Sequence, residues 1–284
     1  MTYYRTGRQQ PQQPSRYGRG EGGSNRNSRG GQLKLMLIIG LGYAAFTLFK
    51  FYANTQVNPV TGEKQYISIT ASDEIAIGLQ ATPQMVQQHG GIHPDQRRQT
   101  FIKEIGRRLL GAPSIRGTEY RYDFHVLADP SVVNAFALPG GQVFITDALL
   151  SRLTSEDMVA GVVGHEIGHV IHRHGAERMA KMDLTQGLTG AAVLASGNYD
   201  TAQAAQMIGN LVNMSYGREQ ELESDEIGVL LMIESGYDPE ALISVMDVLE
   251  EASGGSKVPE FQSTHPSPEN RREKIMEAIN KYQK

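Results

Sequence analysis

The 284-residue chain contains no cysteine. This absence excludes a disulfide framework, a thiolate metal site and a cysteine nucleophile. Any metal ion must therefore be held by histidine, aspartate or glutamate side chains. The length exceeds what one ordinary domain needs, so we expect one sizeable domain with accessory segments.

Basic residues are scarce after the first 34 positions. Residues 1–34 carry seven Lys or Arg against Glu21 alone, a charge of +6, whereas the remainder carries 20 basic and 30 acidic residues, a charge of −10. The acidic body disfavours binding to nucleic acid, so we expect no nucleic-acid partner. Arg-Gly stretches in the tail leave a membrane-anchored RNA-binding protein as a rival interpretation. Residues 1–32 have little apolar bulk beyond tyrosine and are predicted to be a disordered basic tail.

An apolar run, Leu33–Ala53, follows the tail directly. Only 15 uncharged residues separate Lys34 from Lys50, but the usable stretch reaches 21 residues if the Lys50 ammonium group extends to the interface. We predict a transmembrane helix over 33–53 that acts as an uncleaved signal anchor. A cleaved signal peptide and a buried core helix are the alternatives.

The charge distribution predicts the orientation of this anchor. Positive charge on its N-terminal side keeps that end cytoplasmic and directs residues 54–284 across the membrane. We therefore expect a single-pass protein of the inner (cytoplasmic) membrane with its body on the periplasmic or extracytoplasmic side. The mitochondrial inner membrane is the alternative, because an Arg- and Ser-rich leader poor in acidic residues also suits a mitochondrial presequence.

Periodicity and turn signals predict an α+β fold in residues 54–284. Helices are expected near residues 68–88 and 96–110. Strands are expected at Tyr120–Leu127, Val132–Leu138 and Gln142–Ile145, with a Pro-Gly-Gly turn between the last two. Helices dominate the rest of the chain.

The stretch VVGHEIGHVIHRHG, at residues 162–175, sets two histidines four residues apart. A capping signal at 154–157 and helical apolar spacing place it on a helix, where His165 and His169 share one face. One zinc ion can take both imidazoles, and Glu166 can reach a water molecule without being a ligand. This pattern is typical of zinc hydrolases, with Glu166 as the catalytic base, but it is short enough to arise by chance.

A catalytic zinc usually needs a third protein ligand. A second predicted helix, ending at Gly236, carries an acidic cluster that consists of Glu219, Glu221, Glu223, Asp225 and Glu226. Glu221 and Asp225 lie one turn apart, so Glu221 can complete a His/His/Glu site while Asp225 hydrogen-bonds a ligand histidine. Spacing alone equally allows a solvated acidic face.

Four motifs, in order, resemble the membrane-associated zinc metallopeptidases of the HtpX, BepA and Oma type. They are NAFALPGGQVFITDALL, GHEIGHVIHRHGAERMAKM, REQELESDEIG and THPSPENRR. The resemblance spans about residues 56–284. It implies a mainly helical, zincin-like metallopeptidase domain of the gluzincin type with a small β-sheet, one Zn²⁺ per chain and polypeptide substrates.

The resemblance also implies roles for individual residues. Only Glu221 and Asp225 match the family's Glu-x-x-x-Asp motif, so Glu221 is expected to be the third ligand. The segment Asn134, Ala135, Phe136 and Ala137 is expected to pair with the substrate backbone, with an ordinary core strand as the alternative. His265 is expected either to stabilise the oxyanion or to block the open zinc position, with a simply exposed loop histidine as the alternative. Arg271 is expected to hold the loop around it, with a surface role as the alternative.

The implied activity is endoproteolysis, in quality control of misfolded or unassembled envelope or membrane proteins. A zinc-stabilised chaperone or assembly factor with little proteolytic activity is the rival from another class.

Several residues near the motif receive structural interpretations. His172 lies about 10 Å along the helix from His165, too far to share its metal, and Arg173-His174 is expected to support the helix end. Gly161, Gly164 and Gly168 predict close packing of another element. Leu188–Gly197 is too short to span a membrane, so a buried or lid helix is favoured over a second membrane contact.

Overall fold

The structure, a computed structural model, describes residues 26–196, 216–253 and 260–283. The predicted disordered tail, as far as residue 25, lies outside these ranges. The helices are α1 (Arg26–Ala53), α2 (Ala71–Gln88), α3 (Gln96–Leu109), α4 (Asp147–Leu150), α5 (Glu156–Ile171), α6 (His174–Ser196), α7 (Arg218–Glu234), α8 (Ala241–Ser253), α9 (Glu260–Thr264) and α10 (Arg271–Tyr282). The strands are β1 (Gln56–Val57), β2 (Lys64–Gln65), β3 (Asp123–Leu127), β4 (Ala135–Leu138) and β5 (Gln142–Thr146).

Helix α1 contains the predicted membrane span. Its segment Gly31–Ala53 is long and apolar enough to cross a membrane, and only 6% of its most apolar window is buried against the rest of the chain. The helix begins at Arg26, earlier than the predicted start at Leu33. Once the apolar segment has nucleated a helix, each added residue costs little, so residues 26–32 join it.

Strands β3, β5 and β4 form a mixed sheet in that order, with β3 parallel and β4 antiparallel to β5. The three strands predicted from alternation are present, although β3 and β4 begin three residues later than predicted. An isolated bridge between Ile92 and Leu127 covers the β3 side. Strand β4 therefore forms the other edge of this sheet.

The helix of the His-Glu-x-x-His motif, α5, is buried along most of its length and packs on α7. Its glycines permit this close approach. A Cβ atom built on Gly164 would lie 3.3 Å from Gly228 Cα, and one built on Gly168 would lie 2.7 Å from the Ser224 carbonyl oxygen. The predicted close packing is confirmed, and it brings the two metal-binding motifs onto facing helices.

Helix α5 ends beside the motif because the chain turns sharply at Arg173, whose φ is +58°. The Arg173 guanidinium group is buried and anchors this turn. It donates hydrogen bonds to the carboxylate of Glu74 at 2.7 Å, to Gln56 Oε1 at 2.7 Å and to the Ile69 carbonyl at 2.9 Å. These contacts offset the strain of a left-handed conformation at a residue other than glycine.

Candidate metal centre

Local sequence fixes the direction of the two motif histidines. Ser155 caps α5 by accepting a hydrogen bond from the Met158 amide, as the capping signal predicted. His165 and His169 then lie one turn apart on the same face, with their Nε2 atoms 3.0 Å apart. Both side chains are almost fully buried.

Glu221, on α7, reaches the same point from the facing helix. Its Oε2 lies 3.4 Å from His165 Nε2, and its Oε1 lies 3.4 Å from His169 Nε2. His265, just after α9, is the fourth member, with its Nδ1 3.1 Å from Glu221 Oε1. The potential ligand atoms of these four residues all lie within 4.8 Å of one another.

The donor set and its spacing fit a tetrahedral metal ion. Ligand atoms about 2.1 Å from such an ion stand about 3.4 Å from one another. Glu221 Oε2 is buried 3.3 Å from Arg271 Nη1, and His265 Nε2 is buried without a hydrogen-bond partner among the described residues. Two buried histidines and a carboxylate converge beside this unpaired nitrogen, so the group is a good fit for zinc.

The protonation states also suit metal binding. Burial lowers the pKa of His169 well below its usual value. Burial alone would raise the pKa of Glu221, but the neighbouring His265, His165 and His169 hold it well below its usual value. A neutral imidazole and a charged carboxylate are the forms that bind metals.

His165 differs because a carboxylate stands behind it. Burial would lower its pKa, but Asp225, whose Oδ1 lies 2.8 Å from His165 Nδ1, raises the pKa to about 9. At neutral pH a metal ion must therefore displace a proton from His165, and metal affinity should rise with pH. The Arg271 guanidinium group braces Asp225 in turn, at 2.7 and 2.8 Å.

Glu166 lies beside the four-residue group without belonging to it. Its carboxyl group is fully buried, and the Ala137 amide on β4 lies close enough to lower its pKa. Burial raises its pKa, while the positive charges of His265 and His165 oppose that effect. A carboxyl group with a raised pKa next to a metal site has the properties of a general base.

Comparison with known proteins agrees with this geometry. The sequence model of peptidase family M48 matches residues 96–279 of this chain. The chain belongs to this family. It is therefore a member of a metalloendopeptidase family, and the predicted mainly helical fold with a small sheet is confirmed.

Individual relatives cover much of the chain. Mitochondrial metalloendopeptidase OMA1 of Schizosaccharomyces pombe is 28% identical over 235 residues, covering 80% of this chain and 67% of that protein. Its namesake in Saccharomyces cerevisiae is 28% identical over 79% of this chain and 69% of that protein. The beta-barrel assembly-enhancing protease of Escherichia coli is 31% identical over 218 residues, covering 71% of this chain but only 44% of that protein.

In this M48 chain a second hydrogen-bonded set lies behind His169. The Nδ1 atoms of His169 and His174 are 2.8 Å apart, and His174 Nε2 lies 2.9 Å from Glu223 Oε2. His172, His174 and Glu223 also have potential ligand atoms close together. Both nitrogens of His174 already have partners, however, so these residues are better explained as support for His169.

Tyr216 is a residue of the site that the sequence analysis missed. Its ring stacks on His169 with centroids 3.9 Å apart, and it is almost fully buried. Tyr216, His169, Ala137 and Leu138 line one narrow cleft. The only sequence signal was its position directly before the Gly217 cap of α7, and a single aromatic residue there has no predictive pattern.

Proposed function

We propose that this chain is a membrane-anchored, zinc-dependent endopeptidase that acts on misfolded or unassembled membrane or envelope proteins. One observation carries the proposal. Glu166 is buried beside the His165, His169 and Glu221 group, yet it is not one of the ligands. A structural metal site does not need such a carboxyl group, whereas hydrolysis needs a base in that place.

In this proposal His165, His169 and Glu221 hold one zinc ion. A bound zinc ion supplies Lewis-acid chemistry, because it polarises a carbonyl group and lowers the pKa of water. Glu166 accepts the proton from the attacking water at its carboxylate and delivers it to the leaving amine. Asp225 orients His165 through Nδ1, and Arg271 fixes Asp225.

Strand β4 is proposed to bind the substrate backbone. The Thr146 amide donates a hydrogen bond to the Asn134 carbonyl group, and the Asn134 amide donates one to the Thr146 hydroxyl group. In an antiparallel pair every second residue directs its backbone amide and carbonyl groups away from the partner strand. The amide and carbonyl groups of Ala135 and Ala137 therefore face the outer edge of the sheet. This supports the prediction for Asn134 to Ala137, since an extended peptide can add to such an edge.

His265 is proposed to keep the site closed. It is buried, and its Nδ1 lies 3.3 Å from His165 Nε2, in the place of a fourth ligand. This position favours the blocking role over stabilisation of an oxyanion, because a catalytic zinc needs that place for water or substrate. Opening would require His265 to withdraw from the cluster, together with the segment that carries it.

The proposed location is the inner membrane, with residues 33–53 as anchor, residues 54–284 as the peptidase domain and residues 1–32 as a tail on the other side. One apolar N-terminal helix supports it. The relatives come from both settings, because one carries a mitochondrial name and another is named for β-barrel assembly in a bacterium. A mitochondrial inner membrane therefore stays the alternative.

The decisive experiment compares four forms of the full-length chain in detergent: wild type, Glu166→Gln, His265→Ala and the double variant. Zinc content and casein cleavage are measured for each. We expect one zinc per chain in wild type and Glu166→Gln, faster cleavage by His265→Ala than by wild type, and no cleavage by either form that carries Glu166→Gln. Zinc without cleavage in all four would favour the chaperone, and unchanged zinc content and cleavage in His265→Ala would refute the blocking role.

A further inference from the structure

Helix α6 packs against the apolar helix α1 through small residues. A Cβ atom built on Gly40 would lie 2.7 Å from both the Ala191 carbonyl oxygen and Ala195 Cβ. One built on Gly187 would lie 2.4 Å from Thr47 Cγ2. The two helices therefore run antiparallel in close contact, as small residues allow in membrane helix pairs.

These contacts lie deep in the predicted span. Gly40 stands ten residues before Lys50, which is about 15 Å along the helix and about half the thickness of a bilayer's apolar core. Because α6 touches α1 at Gly40, its C-terminal end reaches the same depth wherever α1 crosses the bilayer.

The charges of α6 are distributed to match this depth. Lys181 and Asp183 are exposed, whereas residues 184–196 contain no charged side chain. Lys50, Asn54 and Asp183 line one cavity of about 520 Å³ between the two helices. These polar side chains mark the boundary between water and membrane. The uncharged part of α6 lies on the lipid side of that boundary.

We propose that α6 enters the lipid bilayer beside α1 to about mid-depth, forming a second membrane contact whose partner is lipid. The proposal rests on the anchor included in the proposed function. It replaces the buried or lid helix expected from Leu188–Gly197, of which Gly197 lies outside the described residues. His174 at the start of α6 contacts His169, so the same helix that enters the bilayer also supports a metal ligand.

The absence of tryptophan allows a direct test. Single substitutions place one tryptophan at Leu194 on α6, at Ile38 on α1 or at Met276 on α10, which are 43%, 65% and 38% exposed. Each full-length variant is reconstituted into phosphatidylcholine vesicles whose acyl chains carry bromine at mid-chain, a quencher that acts only on contact with the lipid interior. Zinc content and casein cleavage serve as controls for the fold.

We expect Leu194→Trp and Ile38→Trp to lose most of their emission and Met276→Trp to lose almost none. Quenching of Ile38→Trp without quenching of Leu194→Trp would overturn the proposal and leave the anchor standing, including the case in which a second copy of the chain covers α6. Quenching of neither would remove the anchor and, with it, the proposal. Cleavage of casein by the same samples reports the peptidase function separately.

A second measurement uses the absence of cysteine. Thr47→Cys combined with Gly187→Cys should form a disulfide in vesicles, because a Cβ atom built on Gly187 would lie 3.3 Å from Thr47 Cβ. The pair Thr47→Cys and Ala192→Cys is the control, since Ala192 is exposed. Equal cross-linking of both pairs, or of neither, would contradict the packing of α6 on α1.

Discussion

Asp225 Oδ1 lies 2.8 Å from His165 Nδ1, while His165 Nε2 faces His169 and Glu221. The two ring nitrogens thus have separate tasks, one toward the metal site and one toward a carboxylate that fixes the ring. The same Asp225 accepts two hydrogen bonds from Arg271 on the C-terminal helix. The end of the chain is therefore coupled to the orientation of a metal ligand.

Removal of Arg271 should damage both folding and metal binding. Arg271 is 2% exposed and its partner Asp225 is buried, so Arg271→Ala leaves a buried carboxylate with His165 as its remaining charged partner among the described residues. Breaking such a pair typically costs about 3 to 5 kcal/mol. We expect a loss of this order in the free energy of unfolding, with weaker zinc affinity, measured by denaturant titration and chelator competition.

The adjacent residue provides a matched control. Arg272 forms exposed ion pairs with Asp247 and Glu250, at 2.8 and 3.0 Å. Surface pairs contribute at most about 1 kcal/mol, so Arg272→Ala should be nearly neutral. Similar losses of unfolding free energy and zinc affinity for the two variants would show that burial beside Asp225 gives Arg271 no special role.

Glu223 should tune the metal site without binding metal. Its carboxylate accepts a hydrogen bond from His174, which in turn contacts His169, so Glu223→Gln weakens the support behind that ligand. Loss of such a partner typically lowers metal affinity about 10- to 100-fold. Chelator competition measures the effect, and Glu219→Gln, at an exposed position of the same helix, is the control. Loss of a second zinc ion per chain in Glu223→Gln would instead identify a metal site at His172 and His174.

The sequence predicted the parts of the site that follow from helical periodicity. Spacing of four residues places His165 and His169 on one face, and the structure has that arrangement. Spacing could not select Glu221 from its acidic neighbours, because any of them can lie on a solvated face. Its selection came from the family motif, and the structure shows that Glu221 is fully buried and faces the histidines.

Contacts across long separations were beyond local reasoning. Three contacts depend on how separate elements approach one another, and no periodic pattern encodes that approach. They are the contacts of Tyr216 with His169, of Arg173 with Glu74 and of α6 with α1. The turn at Arg173 is an example, because its left-handed conformation is held by a carboxylate 99 residues away.

The close approach of α5 and α7 should make Gly168 intolerant of a side chain. A Cβ atom there would lie 2.7 Å from a backbone oxygen of Ser224 and 2.8 Å from its Cα, so one helix must move. Overpacking of this kind typically costs about 1 to 3 kcal/mol. We expect Gly168→Ala to lower the free energy of unfolding by this order and Gly164→Ala, with contacts at 3.3 Å, by less. Gly42→Ala, with no atom within 4 Å, should be neutral or stabilising, and a loss at Gly42 equal to that at Gly168 would contradict the packing explanation.

The edge strand offers a test that separates substrate binding from folding. Phe136 pairs with Phe144 in the sheet, whereas the amide of Ala137 points outward by the alternation of the antiparallel pair. Proline lacks an amide hydrogen, so Ala137→Pro should preserve the sheet but remove one donor that an extended substrate can use, together with the contact by which this amide lowers the pKa of Glu166. We expect a higher KM for peptide cleavage with zinc content unchanged, while Phe136→Pro should lose stability and zinc together. If Ala137→Pro kept the wild-type KM, β4 would be an ordinary structural strand and the substrate would have to bind elsewhere. An edge strand that binds a substrate backbone cannot lose a hydrogen-bond donor without losing affinity for that substrate.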